Sequence, residues 1–328
     1  MTRTPLFLSE TDVRDLVTVE DAIDALDGCF GAPAAEINIV PRQRAPLPGG
    51  MFQIMAATYA PKGVFGLKAY CGSPQGTFYN VLLYSYEDRR LLALIEANLL
   101  SQLRTGAASG LATRLMARED AHVLGVVGTG KQAFWQVAAI AAVRPLSEIR
   151  VFGRDQHRRD AFARIVGERF GVSTLSCESA ESCIRGADLI ATITKAKEPV
   201  CFSEWVADGA HVNVAGANAA DRREVDGALV TRAALLATDD IPQAHMEAAE
   251  FRDLAQAGKL DWSQVRTLSD LMQARPSRAP QDVTLFKSLG VAIEDVALAE
   301  VVYARALAKG RGGAIESGMA AELSGGAP

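Results

Sequence analysis

Cysteine is scarce in this chain of 328 residues: five copies, Cys29, Cys71, Cys177, Cys183 and Cys201, with no C-x-x-C spacing. An odd, scattered set argues against a disulfide framework or a zinc site and reads as the reduced thiols of a cytoplasmic protein. Histidine is scarcer still. The four residues His122, His157, His211 and His245 offer no pair at metal-ligand spacing, so no metal is expected. Positive charge is not in surplus: 34 Lys and Arg against 39 Asp and Glu leave a net charge of −5, the wrong sign for a nucleic-acid partner. No apolar run reaches the length of a membrane span, and residues 1–20 carry Asp and Glu where a signal peptide would be apolar, so no membrane is expected.

What is present suffices for two cores, with 49% hydrophobic and 22% charged residues. SETDVRDLV (9–17) and TVEDAIDALDGCF (18–30) each begin with a hydroxyl residue followed three later by Asp, a near variant of the capping box that predicts two short helices. The runs MFQIMAATY, VFGLKAY, NVLLYSYE and LLALIE, separated by APKG and CGSPQG, read as an antiparallel sheet. NLLSQLRTGAASGLATRLMA (98–117) reads as one helix with an unusually small middle. From 121 the rhythm changes. HVLGVV, EIRVFG, DLIATIT, HVNVAG and LLATD alternate with helical stretches, the pattern of βαβ units and a parallel sheet. VTLFKSLG adds a strand, VAIEDVALAEVVYARALAKG a closing helix, and ESGMAAELSGGAP reads as a frayed tail.

VLGVVGTGKQA (123–133) places Gly128, Thr129 and Gly130 after an apolar strand and at the start of a helix, with Ala133 at the third glycine position of a dinucleotide fingerprint. The first glycine makes the turn, the second admits the phosphates, and the helix N-terminus attracts their charge. About twenty residues on, where an NAD site places an acid for the ribose, the chain has Gly153, Arg154 and Asp155. An arginine with no acid before it favours NADP over NAD. Asp155 remains either a helix cap or a ribose contact.

Several blocks resemble the ornithine cyclodeaminase/mu-crystallin family: PRQR (41–44), GLKAY (66–70), LLSQLRTGAASGLAT (99–113), VLGVVGTGKQA, GADLIATIT (186–194), FSEWVADGAHVNVAGANAADRREVD (202–226) and TLFKSLGVAIED (284–295). The order is kept from near the N-terminus to about residue 305. The resemblance implies an α/β fold: a Rossmann-type parallel-sheet domain, expected at 119–299, beside a discontinuous α+β substrate and dimerisation domain, expected at 1–118 and completed by a C-terminal helix at 300–320. It implies a homodimer, and it implies that Arg42 and Arg104 hold a substrate α-carboxylate while Lys68 moves a proton. Guanidinium forks suit a carboxylate, and a partly buried lysine can titrate near neutrality. Read from residues alone, Lys68 is a solvent-facing strand residue, Arg104 a surface cation and Arg42 a loop cation, with Arg44 competing for its role.

For the coenzyme, NAD(P), the expected contacts are Gly128, Thr129, Gly130, Lys131, Gln132, Arg154, Thr192, Thr194, Ala215, Gly216, Lys287, Ser288 and Leu289. Met55, Val64, Tyr79 and Asn80 are pocket candidates. One departure bears on the reaction. Where ornithine-cyclising members of the family carry an aspartate, this chain has Asn218, which holds no charge and takes no proton at neutral pH. The expected activity is therefore hydride transfer at an amino-acid Cα, interconverting an α-amino acid, open or cyclic, with its imine or ketimine. The rivals are an ammonia-releasing cyclodeaminase with bound NAD and an NADPH-binding protein with little turnover.

Overall fold

The computed structural model describes residues 4–73, 76–274 and 277–316. Pro74 and Gln75 of the CGSPQG turn, and the tail from 317, lie outside the described residues. Both predicted capping boxes form. Ser9 accepts from the Asp12 N–H and Thr18 from the Asp21 N–H, each with the reciprocal bond, and they open the helices Glu10–Leu16 and Val19–Gly31.

The first sheet has seven strands in the order Gly313–Ala314, Leu6–Leu8, Leu91–Glu96, Gly76–Ser85, Val64–Ser73, Gly50–Tyr59, Ile37–Leu47. It is antiparallel except where Leu6–Leu8 lies parallel to Leu91–Glu96, so it is mixed rather than purely antiparallel. The edge strand Ile37–Leu47 was not anticipated. It carries Pro41 and Pro46 and slips register between Val40 and Gln43, the irregularity that confines proline to sheet edges. One face of the sheet is buried beneath the helix Ala292–Lys309, which contributes Ala292, Ile293, Val296, Ala299 and Val302 to the same core as Met55, Val81 and Ile95. That helix begins ahead of residue 300 and ends at Gly310, whose φ of +61° gives a left-handed cap; it does not extend to 320 as expected.

The second sheet has eight strands, all parallel, in the order Val265–Thr267, Leu235–Thr238, Thr284–Lys287, His211–Val214, Leu189–Thr192, Val123–Val127, Glu148–Phe152, Ser173–Ser176. Strand order reverses beside Val123–Val127. In open α/β sheets the crevice at such a switch point, outside the carboxyl ends of the strands, is where ligands bind.

The small middle of the helix Asn98–Met116 now has a cause. A Cβ at Gly106 would stand 2.2 Å from the Trp135 carbonyl oxygen, and one at Gly110 2.9 Å from that of Ala139. The helix Lys131–Val143 therefore lies backbone-close along it, joining the two sheets' cores. No helix among the described residues is long and apolar enough to cross a membrane.

Candidate active site

The glycine turn leaves a space that no side chain fills. Gly128 has φ +123°, and a Cβ there would meet the Ile193 carbonyl oxygen at 2.4 Å; only glycine fits. Gly130 is the N-cap of Lys131–Val143, has no side chain to cap it, and faces open space. The first N–H groups of that helix, from Lys131 and Gln132, are left for an anion. Ala133 is fully buried where the helix meets the strand. At Gly153 a Cβ would press on Thr129 Oγ1 at 2.6 Å, so an acid at this position would require Thr129 to move. Asp155 is the N-cap of Gln156–Phe170, accepting from the Arg158 N–H at 2.9 Å. That bond holds its carboxyl below the usual range. Arg154 is exposed beside it.

Across the sheet, Thr192 is buried, and the N–H groups of Thr194 and Gly216 are taken by the carboxylate of Glu224. Ala215 donates its N–H to the Thr192 carbonyl. Lys287, an expected coenzyme contact, is turned inward. Its Nζ is fully buried, 3.2 Å from Glu250 Oε1, because it shares a strand face with core residue Leu285 and points into the fold. Leu289 is likewise turned into the core, its N–H on Asp239 at 2.5 Å, and Ser288 is buried facing the same carboxylate.

Lys68, Arg104 and Arg42 lie in one buried charged cluster at the carboxyl edge of the parallel sheet. Lys68 is 1% exposed, contrary to its reading as a solvent-facing residue, because its strand face (Val64, Gly66, Lys68, Tyr70) is the one covered by Ala292–Lys309. Its Nζ is 2.8 and 2.7 Å from the two Asp295 carboxylate oxygens. The rings of Tyr70 and Tyr79, stacked at 4.9 Å, lie 5.5 and 5.8 Å from Nζ. Burial, and then the positive charge of Arg104, bring the lysine down to about 7 against the pull of Asp295.

Arg104 donates from Nη1 to Glu294 (2.8 Å) and from Nε to Asp295 (3.1 Å); among the described residues none takes Nη2. A Cβ at Gly290 would stand 2.4 Å from Nη1, so glycine is what admits the guanidinium. Arg42 donates to Glu247 (2.5 Å) and to the carbonyls of Leu289 and Gly290 (2.9 and 2.8 Å). Arg44 shares Glu247 at 2.7 Å and donates to the Asn218 carbonyl at 3.0 Å. Arg44 is the more open of the two, its side chain 33% exposed against 1% for Arg42.

Four acids, Asp239, Glu247, Glu294 and Asp295, are buried with these cations, and sequence reasoning assigned none of them. Burial, with the negative charge of Asp239 next, raises Glu294 to about 8; burial raises Asp239 to about 6.

Of the pocket candidates, Met55 is paired across from Lys68 and Tyr79 stands by its ammonium. Val64 is core, and Asn80, exposed and paired with Ala69, falls on the opposite face. Asp221, the acid nearest to Asn218 in the following sequence, is exposed, with Lys197 at 3.8 Å.

The model of the ornithine cyclodeaminase/mu-crystallin family matches residues 3–310. The chain belongs to this family. An alanine dehydrogenase of Archaeoglobus fulgidus is 30% identical over 324 residues, spanning 95% of this chain and 98% of that protein. The solved structure of a Thermococcus litoralis Delta(1)-pyrroline-2-carboxylate reductase, in complex with NADH and L-proline, superposes with a TM-score of 0.90 at 26% identity, covering 94% of this chain and all of that one. An archaeal alanine dehydrogenase dimer with bound NAD gives 0.89 at 29% identity, covering 96% and 99%. This chain shares its α/β two-domain architecture with the two solved structures.

Proposed function

We propose that this member of the family is an NAD(P)-dependent reductase of 2-imino acids, running reversibly to the α-amino acid. The observation that carries the reading is Lys68 joined to Arg104 through Asp295, inside a cluster that abuts the carboxyl edge of the parallel sheet. The open Nη2 of Arg104 receives the substrate carboxylate, with Arg44 or Arg42 as the second cation. The Lys68 ammonium gives its proton to the imine nitrogen, and Asp295 holds Nζ in place for that transfer. The coenzyme supplies hydride to the imine carbon when bound. The uncapped turn at 128–132 fits its pyrophosphate. The Tyr70–Tyr79 pair keeps water from the lysine. The test is a screen of cyclic imines and of 2-keto acids with ammonia, against NADPH and NADH. Absence of turnover with all of them, alongside tight coenzyme binding, would turn the reading to a binding protein.

NADPH is proposed as the preferred coenzyme. Its support is the crowding of position 153 by Thr129, the use of Asp155 as a cap, and the exposed Arg154 between them. Arg154→Ala is expected to weaken NADPH by about tenfold or more, since a charge-assisted contact is lost, and to leave NADH unchanged. Equal losses in fluorescence titrations would assign Arg154 to the adenine.

The uncharged Asn218 supports a reductase over a cyclodeaminase. Wild-type protein with catalytic NAD is expected to form little proline or ammonia from ornithine, and robust formation of both would overturn the assignment. We also propose a homodimer through the outer face of the first sheet, where Val40, Ile54 and Phe78 are exposed on the side opposite Lys68. The substrate and dimerisation unit is then 1–118 with the closing helix, and the coenzyme unit begins at 119. Light scattering reads the dimer directly.

A further inference from the structure

Glu224 is fully buried, and its carboxylate accepts three backbone N–H groups: Thr194 on Oε1 at 2.6 Å, Gly216 and Ala217 on Oε2 at 2.6 and 3.0 Å. The donors belong to two loops, those that leave the neighbouring parallel strands Leu189–Thr192 and His211–Val214 at their carboxyl ends. The loops touch. A Cβ at Gly216 would stand 2.1 Å from the Thr194 nitrogen. Glu224 is itself fixed at both ends of its backbone: its N–H donates to Glu250 Oε1 at 2.9 Å, and its carbonyl accepts from Val200 and Cys201 at 2.9 and 3.0 Å. Lys287 then neutralises Glu250 from below. Burial pushes the Glu224 carboxyl up, and Lys287 together with the N–H donors pulls it back.

The stapled loops also abut the glycine turn. Ile193, the residue before Thr194, donates its N–H to Val127 at 2.9 Å, and its carbonyl is what a side chain at Gly128 would strike. In the sheet order they lie on the opposite side of Val123–Val127 from Glu148–Phe152, the strand that leads to Arg154. On the reading above, Arg154 is at the adenosine end of the coenzyme, so the Glu224 loops are at the nicotinamide end.

We infer that Glu224 is a positioning residue for the coenzyme: its carboxylate fixes the loops at 193–194 and 215–217 against the glycine turn, so that placement of the nicotinamide half depends on it and that of the adenosine half does not. A neutral amide in its place has one acceptor oxygen and sets an NH₂ group against backbone donors, which frees at least one of the two loops. The inference rests on the proposed coenzyme-dependent activity.

The experiment compares wild type and Glu224→Gln, as full chains, for affinity toward NADPH and NADH and toward ADP-ribose and 2′-phospho-ADP-ribose, the same molecules without nicotinamide. The variant is expected to bind the intact coenzyme about tenfold or more weakly, as loss of a charge-assisted contact implies, and to bind the fragment as wild type does. Equal losses for coenzyme and fragment, or none for either, overturn the inference. Wild type that binds neither NADPH nor NADH overturns the functional reading, and the inference with it. A measurement on wild type alone covers a variant that does not fold. In hydrogen exchange without coenzyme, the amides of Thr194, Gly216 and Ala217 are expected to be protected, although none lies in a helix or strand; rapid exchange at these three overturns the staple.

Discussion

Lys68→Met is expected to lower kcat for imine reduction by about 100- to 10,000-fold, the usual contribution of a general acid, and to leave coenzyme affinity unchanged. Methionine, one heavy atom shorter, fills most of the same buried strand position against Ala292–Lys309, while Asp295 retains the Arg104 Nε as a partner. Loss of turnover with coenzyme binding intact therefore reports chemistry. A kcat near that of wild type would remove the lysine from the mechanism. The pH dependence carries the same signature. Because the folded protein holds Lys68 at about 7, the ammonium that donates in the reductive direction is present below that pH and lost above it. Reduction is expected to fall as pH rises through about 7, and amino-acid oxidation to rise. The sign for stability follows from linkage. Between about 7 and the ordinary 10.5 the unfolded chain binds a proton that the folded chain does not, so the contribution of Lys68 to stability improves with pH across that window. A thermal-melt series of wild type against Lys68→Met reads it.

Arg104→Leu is expected to be costly twice. Glu294 is held by Nη1 of this guanidinium and Asp295 by its Nε and by Lys68, so leucine leaves Glu294 with no cation in a buried site. Breaking a buried pair from one side costs about 3–5 kcal/mol. Part of that is relieved by protonation, since Glu294 already stands near 8, and the urea midpoint of the variant should therefore recover as pH is lowered. Substrate binding should weaken by roughly 10- to 150-fold through loss of one charge-assisted clamp, read as a raised KM for the imino acid. A variant that keeps its KM for the substrate and loses coenzyme affinity would show that Arg104 serves the other ligand.

The parallel sheet was the most legible part of the fold, because each strand buried on both faces is a continuous apolar run and GTGKQA marks where the first of them ends. The capping boxes at Ser9 and Thr18 were equally readable, being local chemistry. Ile37–Leu47 was not. An edge strand with two prolines and a register slip has no alternation to detect, and Arg42 was accordingly read as a loop cation. The family resemblance named Lys68, Arg42 and Arg104, and the structure brings the three into one cluster. The acids that hold them were illegible for a physical reason. Glu294 and Asp295 open a helix, where acidic residues are ordinary because they suit its dipole, and Glu247 and Glu250 resemble the solvated face of a surface helix. Only tertiary packing, across some two hundred positions of sequence, turns them inward. The block FKSLG-x-A-x-ED was the one available signal, a charged pair embedded in a run otherwise apolar. Its Lys287, Ser288 and Leu289 are expected coenzyme contacts, whereas its acidic pair carries no expected role.

The closing helix has a consequence for synthesis of the chain. Six of the seven strands of the first sheet, including those that bear Met55, Val64, Lys68 and Tyr70, are made by residue 96, yet the helix that covers that face is Ala292–Lys309. A nascent chain must translate the whole parallel-sheet unit before that surface is sealed. At about 5–20 residues per second this leaves it open for roughly ten to forty seconds. During that interval the strand edges and apolar face are exposed to neighbouring chains on the same messenger. Production of the intact protein should therefore depend more steeply on chaperones and on growth temperature than production of the parallel-sheet unit, whose strands and covering helices are contiguous.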